Sequence, residues 1–253
     1  MDKSVVLITG GASGIGYGIL KYLLNSNKYT IISVSKSEKN IQLAKEDLKD
    51  DSDKILFLQN DITKESECEN LYNIIKSKYG RLDGLINCAG IIKLGGIEKQ
   101  SLKEWNDSIN INLTAIFLLT KTLLPLLKQG TNPSVINISS IHSEKPGGSI
   151  AYCTSKAGLD MLTKFMAQEL TKYKIRVNSI NPAFVESNIY LSSGDYSESE
   201  YKELINKRNL TYPLGRIGNA YNDIGPMAEF LLSDKSLWTT GSIYVVDGGK
   251  SLF

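Results

Sequence analysis

The fold is decided by one stretch near the start of the chain, Val5-Val6-Leu7-Ile8-Thr9-Gly10-Gly11-Ala12-Ser13-Gly14-Ile15-Gly16. A short apolar run ends at Thr9, three glycines follow at close spacing, and an apolar helical pattern begins at Gly14. Glycines let the backbone turn sharply and approach a pyrophosphate, while the start of the next helix attracts negative charge. The stretch predicts a strand, a phosphate-binding turn and a helix, with a tight turn that binds no ligand as the alternative.

Apolar runs alternate with helical patterns along the rest of the chain. The runs predict buried strands at Val5 to Thr9, Tyr29 to Val34, Lys54 to Gln59, Leu82 to Asn87, Ser134 to Ile138, Ile175 to Asn181 and Ser242 to Val246. The helical patterns cover about Gly14 to Asn25, Lys39 to Leu48, Lys64 to Tyr79, Trp105 to Lys128, Ala151 to Lys172 and Asn222 to Ser233. Such alternation is typical of a parallel sheet with helices on both faces. We therefore predict a single α/β domain over residues 1–253, with a doubly wound parallel sheet of about seven strands.

Composition and charge exclude several classes of protein. Of the 253 residues 42% are hydrophobic, and 29 Lys and Arg against 27 Asp and Glu give a net charge of +2. Without a dense basic run, nucleic acid is not an expected partner. Three widely spaced cysteines and one histidine predict neither a disulfide framework nor a metal site. The apolar run after Met1 is too short for a signal peptide or membrane span, so we expect a cytoplasmic protein with no membrane partner.

A long stretch from about Pro182 to Arg216 shows no regular pattern. It is rich in Ser, Gly, Asp, Tyr and Glu around Ser192 to Tyr201. Loops of this length in compact domains are more often functional than not. We interpret residues 183–216 as a substrate-binding loop region within the domain, with a plain surface insertion as the alternative.

Tyr152 and Lys156 can together supply an acid or a base near neutral pH. Four residues apart on a helix is about one turn, so the ammonium can lie beside the phenol oxygen. Bringing a tyrosine pKa from ~10 to about 7 requires roughly 4 kcal/mol, which a partly desolvated lysine can supply. The same spacing occurs at Tyr17 and Tyr72, which we interpret as helix-surface tyrosines with snorkelling lysines. The spacing alone therefore does not identify a catalytic pair.

A series of motifs resembles, in order and over nearly the whole chain, the short-chain dehydrogenase/reductase family in its compact subtype. The motifs are the turn from Thr9 to Gly16, Asp61-Ile62, Asn87 to Gly90, Asn112-Leu113, Asn137 to Ser140, Tyr152 to Lys156, Asn181 to Ser187 and Asp247 to Gly249. The resemblance implies a Rossmann-type fold and a nicotinamide cofactor. It also implies an oxidoreductase that transfers a hydride between this cofactor and a small carbonyl or secondary alcohol substrate.

The resemblance implies four catalytic residues. Tyr152 acts as general acid and base, and Lys156 lowers the pKa of Tyr152 and binds the nicotinamide ribose. Ser140 donates a hydrogen bond to the substrate oxygen, and Asn112 holds a water that links Lys156 to solvent.

The catalytic serine has an alternative in Ser139. The segment from Ser140 to Tyr152 is one residue shorter than is usual in the family, and counting from Ser139 restores the spacing. We favour Ser140, because neighbouring strand residues face opposite ways and the family's motif ends with the functional serine. The loop Pro146-Gly147-Gly148 can absorb the missing residue.

The resemblance also implies a set of cofactor-binding residues. They are Gly10, Ser13, Gly14, Ile15, Gly16, Ser35, Lys36, Asp61, Ile62, Asn87, Ala89, Gly90, Tyr152, Lys156, Pro182, Val185 and Ser187. Proteins that bind NAD commonly place an acid after the second strand, where this chain has Ser35 and Lys36. A lysine there favours NADP(H), with NAD(H) and a solvated surface lysine as the alternative. Asp61 can bond the adenine amino group or cap the next helix, where Thr63 is better placed.

The same residues allow us to weigh alternative functions and to predict an oligomeric state. A catalytically silent dinucleotide-binding regulator on the same fold is the first alternative. An epimerase of the extended subtype is disfavoured because too few residues follow the sixth strand. A Ser-His hydrolase is disfavoured because His142 has no evident orienting acid and the chain has no nucleophile elbow. The apolar helices from Trp105 to Lys128 and from Ala151 to Lys172 predict, by resemblance, a homotetramer.

Overall fold

The computed structural model describes residues 3–187 and 197–253. The strands are β1 Ser4–Thr9, β2 Tyr29–Ser35, β3 Ile55–Gln59, β4 Gly84–Asn87, β5 Ser134–Ile138, β6 Arg176–Pro182 and β7 Ile243–Val246. The α-helices of these ranges are α1 Gly14–Ser26, α2 Glu38–Leu48, α3 Glu65–Tyr79, α4 Leu102–Ile109, α5 Ala115–Leu127, α6 Ile150–Leu170, α7 Glu198–Asn209 and α8 Gly225–Leu232. The predicted strands are confirmed, with ends that shift by one or two residues.

One parallel sheet contains all seven strands, in the order β3-β2-β1-β4-β5-β6-β7. The strand order reverses direction between β1 and β4, which places a crevice at their carboxyl ends. The predicted doubly wound parallel sheet is therefore confirmed. Its topology brings the glycine-rich turn after β1 close to the loops after β4 and β5.

Alternate residues of β1 pack on opposite faces of the sheet. Val5 and Leu7 belong to the core beneath α3, α5 and α6, whereas Val6 and Ile8 belong to the core beneath α1 and α8. All four side chains are at most 4% exposed. Full burial of a Val, Leu or Ile side chain contributes about 1.5–3 kcal/mol, so both faces stabilise the sheet. A strand buried on both sides has a continuous apolar sequence, as observed here.

The helix predicted from about Trp105 to Lys128 is confirmed as one helical segment, Leu102–Leu127, which starts three residues earlier than predicted. It begins at Leu102, because Ser101 and Glu104 form a capping box in which each side chain bonds the other's backbone N–H. A π-helical turn over Asn110–Thr114 then separates α4 from α5. Single π-helical turns inside helices are frequent at functional sites, and this one contains Asn112.

The stretch from Pro182 to Arg216 is not irregular throughout. It contains α7, which Ser197 and Glu200 start with a second capping box. Part of the predicted substrate loop, residues 188–196, lies outside the described residues. The predicted cap at Thr63 is also wrong, because Lys64 occupies the cap position of α3 and Thr63 donates its hydroxyl to Asp61 instead.

The segment Leu102–Leu127 is long and apolar enough to cross a bilayer by length and composition alone. The core helix of a globular protein passes the same test. Here Leu119, Leu123 and Leu127 are fully buried beneath the sheet. The segment therefore gives only weak support for a membrane span.

Candidate functional site

The turn after β1 has a backbone that only glycine fits well. Gly10 and Gly14 have φ angles of 66° and 53°, in the left-handed region. Gly16 meets a different constraint, since a Cβ atom there would lie 2.4 Å from the carbonyl oxygen of Gly10. The turn therefore packs directly on the start of α1, and the first N–H groups of this helix point towards the crevice.

Thr9 joins the glycine-rich turn to the loop after β4. Its Oγ1 accepts hydrogen bonds from the backbone N–H groups of Cys88 (3.0 Å) and Ala89 (3.1 Å). A Cβ atom on Gly10 would lie 3.1 Å from Cα of Ala89, so the two segments are in close contact. Together they form the two walls of one crevice.

This crevice, called the cradle below, contains ten of the predicted cofactor residues. It is lined by Gly10, Ser13, Gly14, Ile15, Gly16, Asn40, Cys88, Ala89, Gly90, Ile138, Ser139, Tyr152, Lys156 and Ser187. Asn40 was not predicted. It lies in the first turn of α2, where its backbone N–H donates a hydrogen bond to the side chain of the capping residue Ser37. The capping pattern Ser37-x-x-Asn40 could have indicated from the sequence that Asn40 lies at the start of this helix. Burial raises the pKa of the Cys88 thiol to about 12.

The remaining predicted cofactor residues lie beside the cradle. Ser35, Lys36, Asp61 and Ile62 lie at or just beyond the ends of β2 and β3, and Pro182 and Val185 line a neighbouring pocket.

Asn87 is fully buried at the centre of the sheet. It donates a hydrogen bond to Oδ1 of Asn137 (2.9 Å), and Asn137 donates to Oγ1 of Thr163 (2.8 Å). Asn87 therefore links β4 to β5 and, through Asn137, to α6.

Lys156 is a buried cation at the inner end of the cradle. It is 4% exposed, and its Nζ donates a hydrogen bond to the backbone carbonyl of Ile138 (2.8 Å). Burial lowers the pKa of Lys156 from 10.5 to about 8, although the negative charge of Asp160 opposes this shift. Nζ lies 5.6 Å from the ring centre of the half-buried Tyr152.

The other two Tyr-x-x-x-Lys pairs have the same geometry in different surroundings. The ammonium lies 5.4 Å from the ring centre in the Tyr17 pair and 5.5 Å in the Tyr72 pair. Burial and a hydrogen bond to the Asp47 carboxylate raise the pKa of Tyr17, which opposes phenolate formation. The burial of Lys156 therefore distinguishes the third pair, and the spacing does not.

Asn112 holds together the loop after β4, the π-helical turn and α6. Its Oδ1 accepts from the N–H of Ile91 (2.9 Å), and its Nδ2 donates to the carbonyl of Ile91 (3.0 Å) and to Oγ of Ser155 (3.1 Å). Both amide hydrogens therefore have protein partners. A Cβ atom on Gly90 would lie 3.2 Å from Oδ1 of Asn112 and 3.8 Å from Nζ of Lys156, so Gly90 lies between these two groups.

The two candidate serines have different hydrogen bonds. Ser139 donates its hydroxyl to the backbone carbonyl of Lys156 (3.2 Å), so this side chain is attached to α6. The hydroxyl oxygen of Ser140 accepts from the N–H of His142 (3.1 Å), and its proton remains available as a donor. This difference favours Ser140 as the residue that donates to a ligand.

The short loop between Ser140 and Tyr152 folds closely around His142. Nδ1 of His142 lies 3.0 Å from the carbonyl oxygen of Lys145, and a Cβ atom on Gly147 would lie 2.3 Å from the imidazole ring. Gly148 has a φ of 69°, so two glycines form the tight part of the loop. Within the described ranges, the hydrogen-bond partner of the imidazole is a backbone carbonyl, which does not fit a Ser-His-acid arrangement.

A second pocket, called the substrate pocket below, meets the cradle at Tyr152. It is lined by Ile15, Ile92, Ser139, Ser140, Ile141, His142, Tyr152, Pro182, Ala183, Phe184, Val185, Ser187, Arg208, Tyr212 and Lys250. Arg208 and Tyr212 fall within the predicted substrate-binding region 183–216 but were not singled out, and Lys250 was missed. Arg208 lies on α7, whose capping box at Ser197 was a readable signal, and Tyr212 and Lys250 lie in segments that follow this helix.

Lys36 and Asp61 form an ion pair at the adenosine end of the predicted cofactor site. Nζ of Lys36 lies 2.8 Å from Oδ2 of Asp61, while Thr63 donates to Oδ1 (2.7 Å). Burial acts to raise the pKa of Asp61, but hydrogen bonds from Lys36 and Thr63 lower it below its usual value. The carboxylate therefore has protein partners, and its predicted bond to adenine stays a prediction.

Comparisons with known proteins place the chain among dehydrogenases and reductases. The family model for short chain dehydrogenases matches residues 4–195. The chain is 32% identical over 252 residues to the 2,5-dichloro-2,5-cyclohexadiene-1,4-diol dehydrogenase LinX of Sphingobium indicum, covering 98% of this chain and 96% of that one. It is 30% identical over 250 residues to the 3-oxoacyl-(acyl-carrier-protein) reductase FabG of Thermotoga maritima, covering 98% of each.

Similar solved structures cover nearly the whole chain. The ligand-free aldohexose dehydrogenase of Thermoplasma acidophilum has a TM-score of 0.86 at 26% identity, over 99% of this chain and 95% of that one. ElxO with NADP bound has a TM-score of 0.86 at 27% identity, over 100% of each chain.

Replacing Lys156 by Met tests the burial of its charge. Between pH 8 and 10.5 the unfolded wild type binds a proton at Lys156 that the native protein does not, so native stability rises with pH in this window. We expect the unfolding free energy of the wild type to rise by up to about 3 kcal/mol relative to Lys156→Met across it. Urea unfolding at several pH values measures the difference. A difference between wild type and Lys156→Met that stays constant across this pH window would contradict the burial of the charge.

Proposed function

Because the chain belongs to the short-chain dehydrogenase/reductase family of oxidoreductases, we propose that it uses NADP(H) to interconvert a carbonyl and a secondary alcohol. One observation carries this proposal: Tyr152 lines both the cradle and the substrate pocket, beside the buried cation of Lys156. A proton can therefore be exchanged where two ligands would meet.

The cradle fits a dinucleotide. The positive φ angles of Gly10 and Gly14 disfavour any side chain there, and a side chain at Gly16 would clash with the carbonyl oxygen of Gly10. The backbone of the turn therefore stays accessible to a pyrophosphate. When bound, the nicotinamide ring donates or accepts the hydride. Ala89 and Gly90 form the opposite wall, and Lys156 lies at the end where the nicotinamide ribose would bind.

Tyr152 carries the proton. In the reductive direction its hydroxyl protonates the substrate oxygen, and in the oxidative direction its phenolate removes the proton of the alcohol. The ammonium of Lys156 favours the phenolate, and burial strengthens this interaction because little water screens it. With a pKa of about 8, Lys156 is charged at neutral pH but loses its proton more readily than an exposed lysine. We further propose that Asn112 holds a water that links Lys156 to solvent, which would complete a proton relay.

We expect Tyr152→Phe to lower kcat by about 100-fold to 10,000-fold, the usual range for loss of a general acid or base. The dissociation constant for NADPH should stay within about twofold, because the ring and its contacts remain. Absorbance of NADPH with a panel of ketones measures the first quantity, and fluorescence titration measures the second. Tyr72→Phe is the matched control and should retain full activity. An active Tyr152→Phe variant would contradict the mechanism, and a wild type that binds NADPH but reduces no ketone would favour a silent regulator.

Ser140→Ala and Ser139→Ala separate the two candidate serines. Loss of the donor to the substrate oxygen should lower kcat by about 100-fold to 1,000-fold in Ser140→Ala. Ser139→Ala removes a bond to the backbone of α6 and should cost about 1 kcal/mol of stability with little change in kcat. Steady-state kinetics and urea unfolding of both variants check this. The reverse pattern would assign the role to Ser139.

The cofactor preference is proposed from the groups at the end of β2. In the part of the chain that the structure describes, Ser35 and Lys36 occupy the end of β2, where NAD-binding proteins commonly place an acid. The Lys36 side chain is 75% exposed, so its ammonium can reach a ribose 2′-phosphate while Asp61 limits its movement. Asn40 lines the same end of the cradle and adds an amide donor.

Lys36→Ala should weaken NADPH binding by about tenfold and leave NADH binding within about twofold, because only NADPH carries the 2′-phosphate. Lys39→Ala, an exposed neighbour that is absent from the cradle lining, is the matched control. Fluorescence titrations with both cofactors measure the constants. Tighter binding of NADH by the wild type, unchanged in Lys36→Ala, would sink the assignment.

The homotetramer is proposed from exposed apolar side chains. Phe117 on α5 is 51% exposed, and Met161 and Phe165 on α6 are 64% and 63% exposed, so these helices present apolar surface to solvent. Trp238 and Val245 provide further apolar surface at and near the edge strand β7. Two separate apolar regions suit a tetramer with two kinds of interface. Light scattering gives the mass directly, and a monomeric mass would contradict this proposal.

A further inference from the structure

We infer that the substrate carries an anionic group, a carboxylate or a phosphate, which Arg208 and Lys250 bind at the far side of the substrate pocket from the cradle. The inference rests on the proposed function, since it names the class of substrate for the same site. It starts from the charges in the pocket lining. Arg208 and Lys250 are both among the lining residues, and no Asp or Glu of the described residues is.

Arg208 has unused capacity for hydrogen bonds. Its guanidinium stacks 4.6 Å from the ring centre of Phe184 and interacts with the hydroxyl of Tyr212. Its Nε–H is buried and has no hydrogen-bond partner among residues 3–187 and 197–253, although a guanidinium offers five donors. The planar fork of arginine matches a carboxylate or a phosphate.

Lys250 approaches the same pocket from the C-terminal segment. Its Nζ donates to the carbonyl of Thr211 (3.1 Å) and lies 5.7 Å from the ring centre of Tyr212. A lysine ammonium has three donors, so hydrogens remain for a ligand. Tyr212 thus interacts with both cations, and all three residues line the same pocket.

The nearby carboxylates have other roles. Asp247 accepts hydrogen bonds from the N–H groups of Gly249 (2.9 Å) and Ser251 (2.6 Å), and Glu186 is exposed. Within the described ranges, no ion pair joins either acid to Arg208 or Lys250. The positive charge of the pocket is therefore not neutralised by these acids.

Tyr152 and Ser140 line the same pocket as the two cations. The reacting oxygen and the anionic group would therefore bind at different parts of one cavity. Fixing both ends orients the carbonyl towards Tyr152, which raises the rate more than it strengthens binding of the ground state. Neutral analogues of the same shape would lose this orientation.

The test uses matched pairs of ketones that differ in charge. One set is 2-oxo, 3-oxo and 4-oxo pentanoate with their amides, and the other is dihydroxyacetone phosphate with dihydroxyacetone. We expect at least one anionic compound to exceed its neutral partner in kcat/KM by about tenfold to 100-fold, the range for charge-assisted hydrogen bonds. A larger ratio for the oxopentanoates would indicate a carboxylate, and a larger ratio for dihydroxyacetone phosphate would indicate a phosphate.

Arg208→Met should lower the kcat/KM of the anionic compound by about tenfold or more and bring it level with that of its neutral partner, and Arg208→Lys should restore part of the difference. Lys207→Met removes a charge from the adjacent position of α7, where Lys207 pairs with Glu203 and is 72% exposed, and should keep the preference. Isothermal titration calorimetry of the charged and the neutral compound, each added to the protein with NADP⁺ bound, compares their dissociation constants without turnover. Equal use and binding of charged and neutral partners would overturn the inference while the proposed function stands. Failure of wild type to oxidise or reduce any compound would count against the proposed function, and binding would still decide the inference.

Discussion

The attachment of α6 to the end of β5 is the interaction on which the site depends. Two hydrogen bonds make it, from the Lys156 ammonium to the carbonyl of Ile138 and from the hydroxyl of Ser139 to the carbonyl of Lys156. Together they fix the first turns of the helix against the sheet, and so they fix Tyr152 relative to both pockets. A buried cation held by backbone oxygen rather than by a carboxylate keeps its positive charge available to a neighbouring phenol.

The other loops of the site are joined to this attachment through polar side chains. Asn112 connects the π-helical turn to Ile91 and to Ser155 of α6, while Thr9 connects β1 to the loop after β4. Each of these groups satisfies backbone donors that would otherwise be buried without partners. These hydrogen bonds therefore connect the two walls of the cradle to each other and to α6.

The sequence predicted the sheet because strands buried on both faces are continuous apolar runs, as Val5 to Ile8 show. It predicted the glycine-rich turn because backbone geometry there requires glycine at Gly10 and Gly14. It missed the π-helical turn at Asn110, since the apolar pattern continues through it unchanged. It also missed α7, although Ser197 and Glu200 stood at capping-box spacing.

The presence of Arg208 and Lys250 in one pocket could not be predicted from the sequence. The two residues are distant in the chain, and only the folding of α7 and of the C-terminal segment brings them to the same pocket. The hydrogen bonds of Ser139 to α6 and of Ser140 to His142 likewise could not be predicted, because strand alternation does not specify them, and the role of Ser140 stays a prediction. Lys36 follows β2 and Asp61 follows β3. Their ion pair therefore depends on the pairing of these two strands, which neither segment of sequence shows by itself.

The protonation state of the Cys88 thiol, in the wall of the cradle, affects how readily this residue reacts with electrophiles. Carbonyl compounds, above all those conjugated to a double bond, alkylate thiolates and much less readily alkylate protonated thiols. Because burial raises the pKa of Cys88 to about 12, its sulfur stays protonated at physiological pH. A protonated thiol is a poor nucleophile, so an electrophile that enters the cradle would react with Cys88 only slowly.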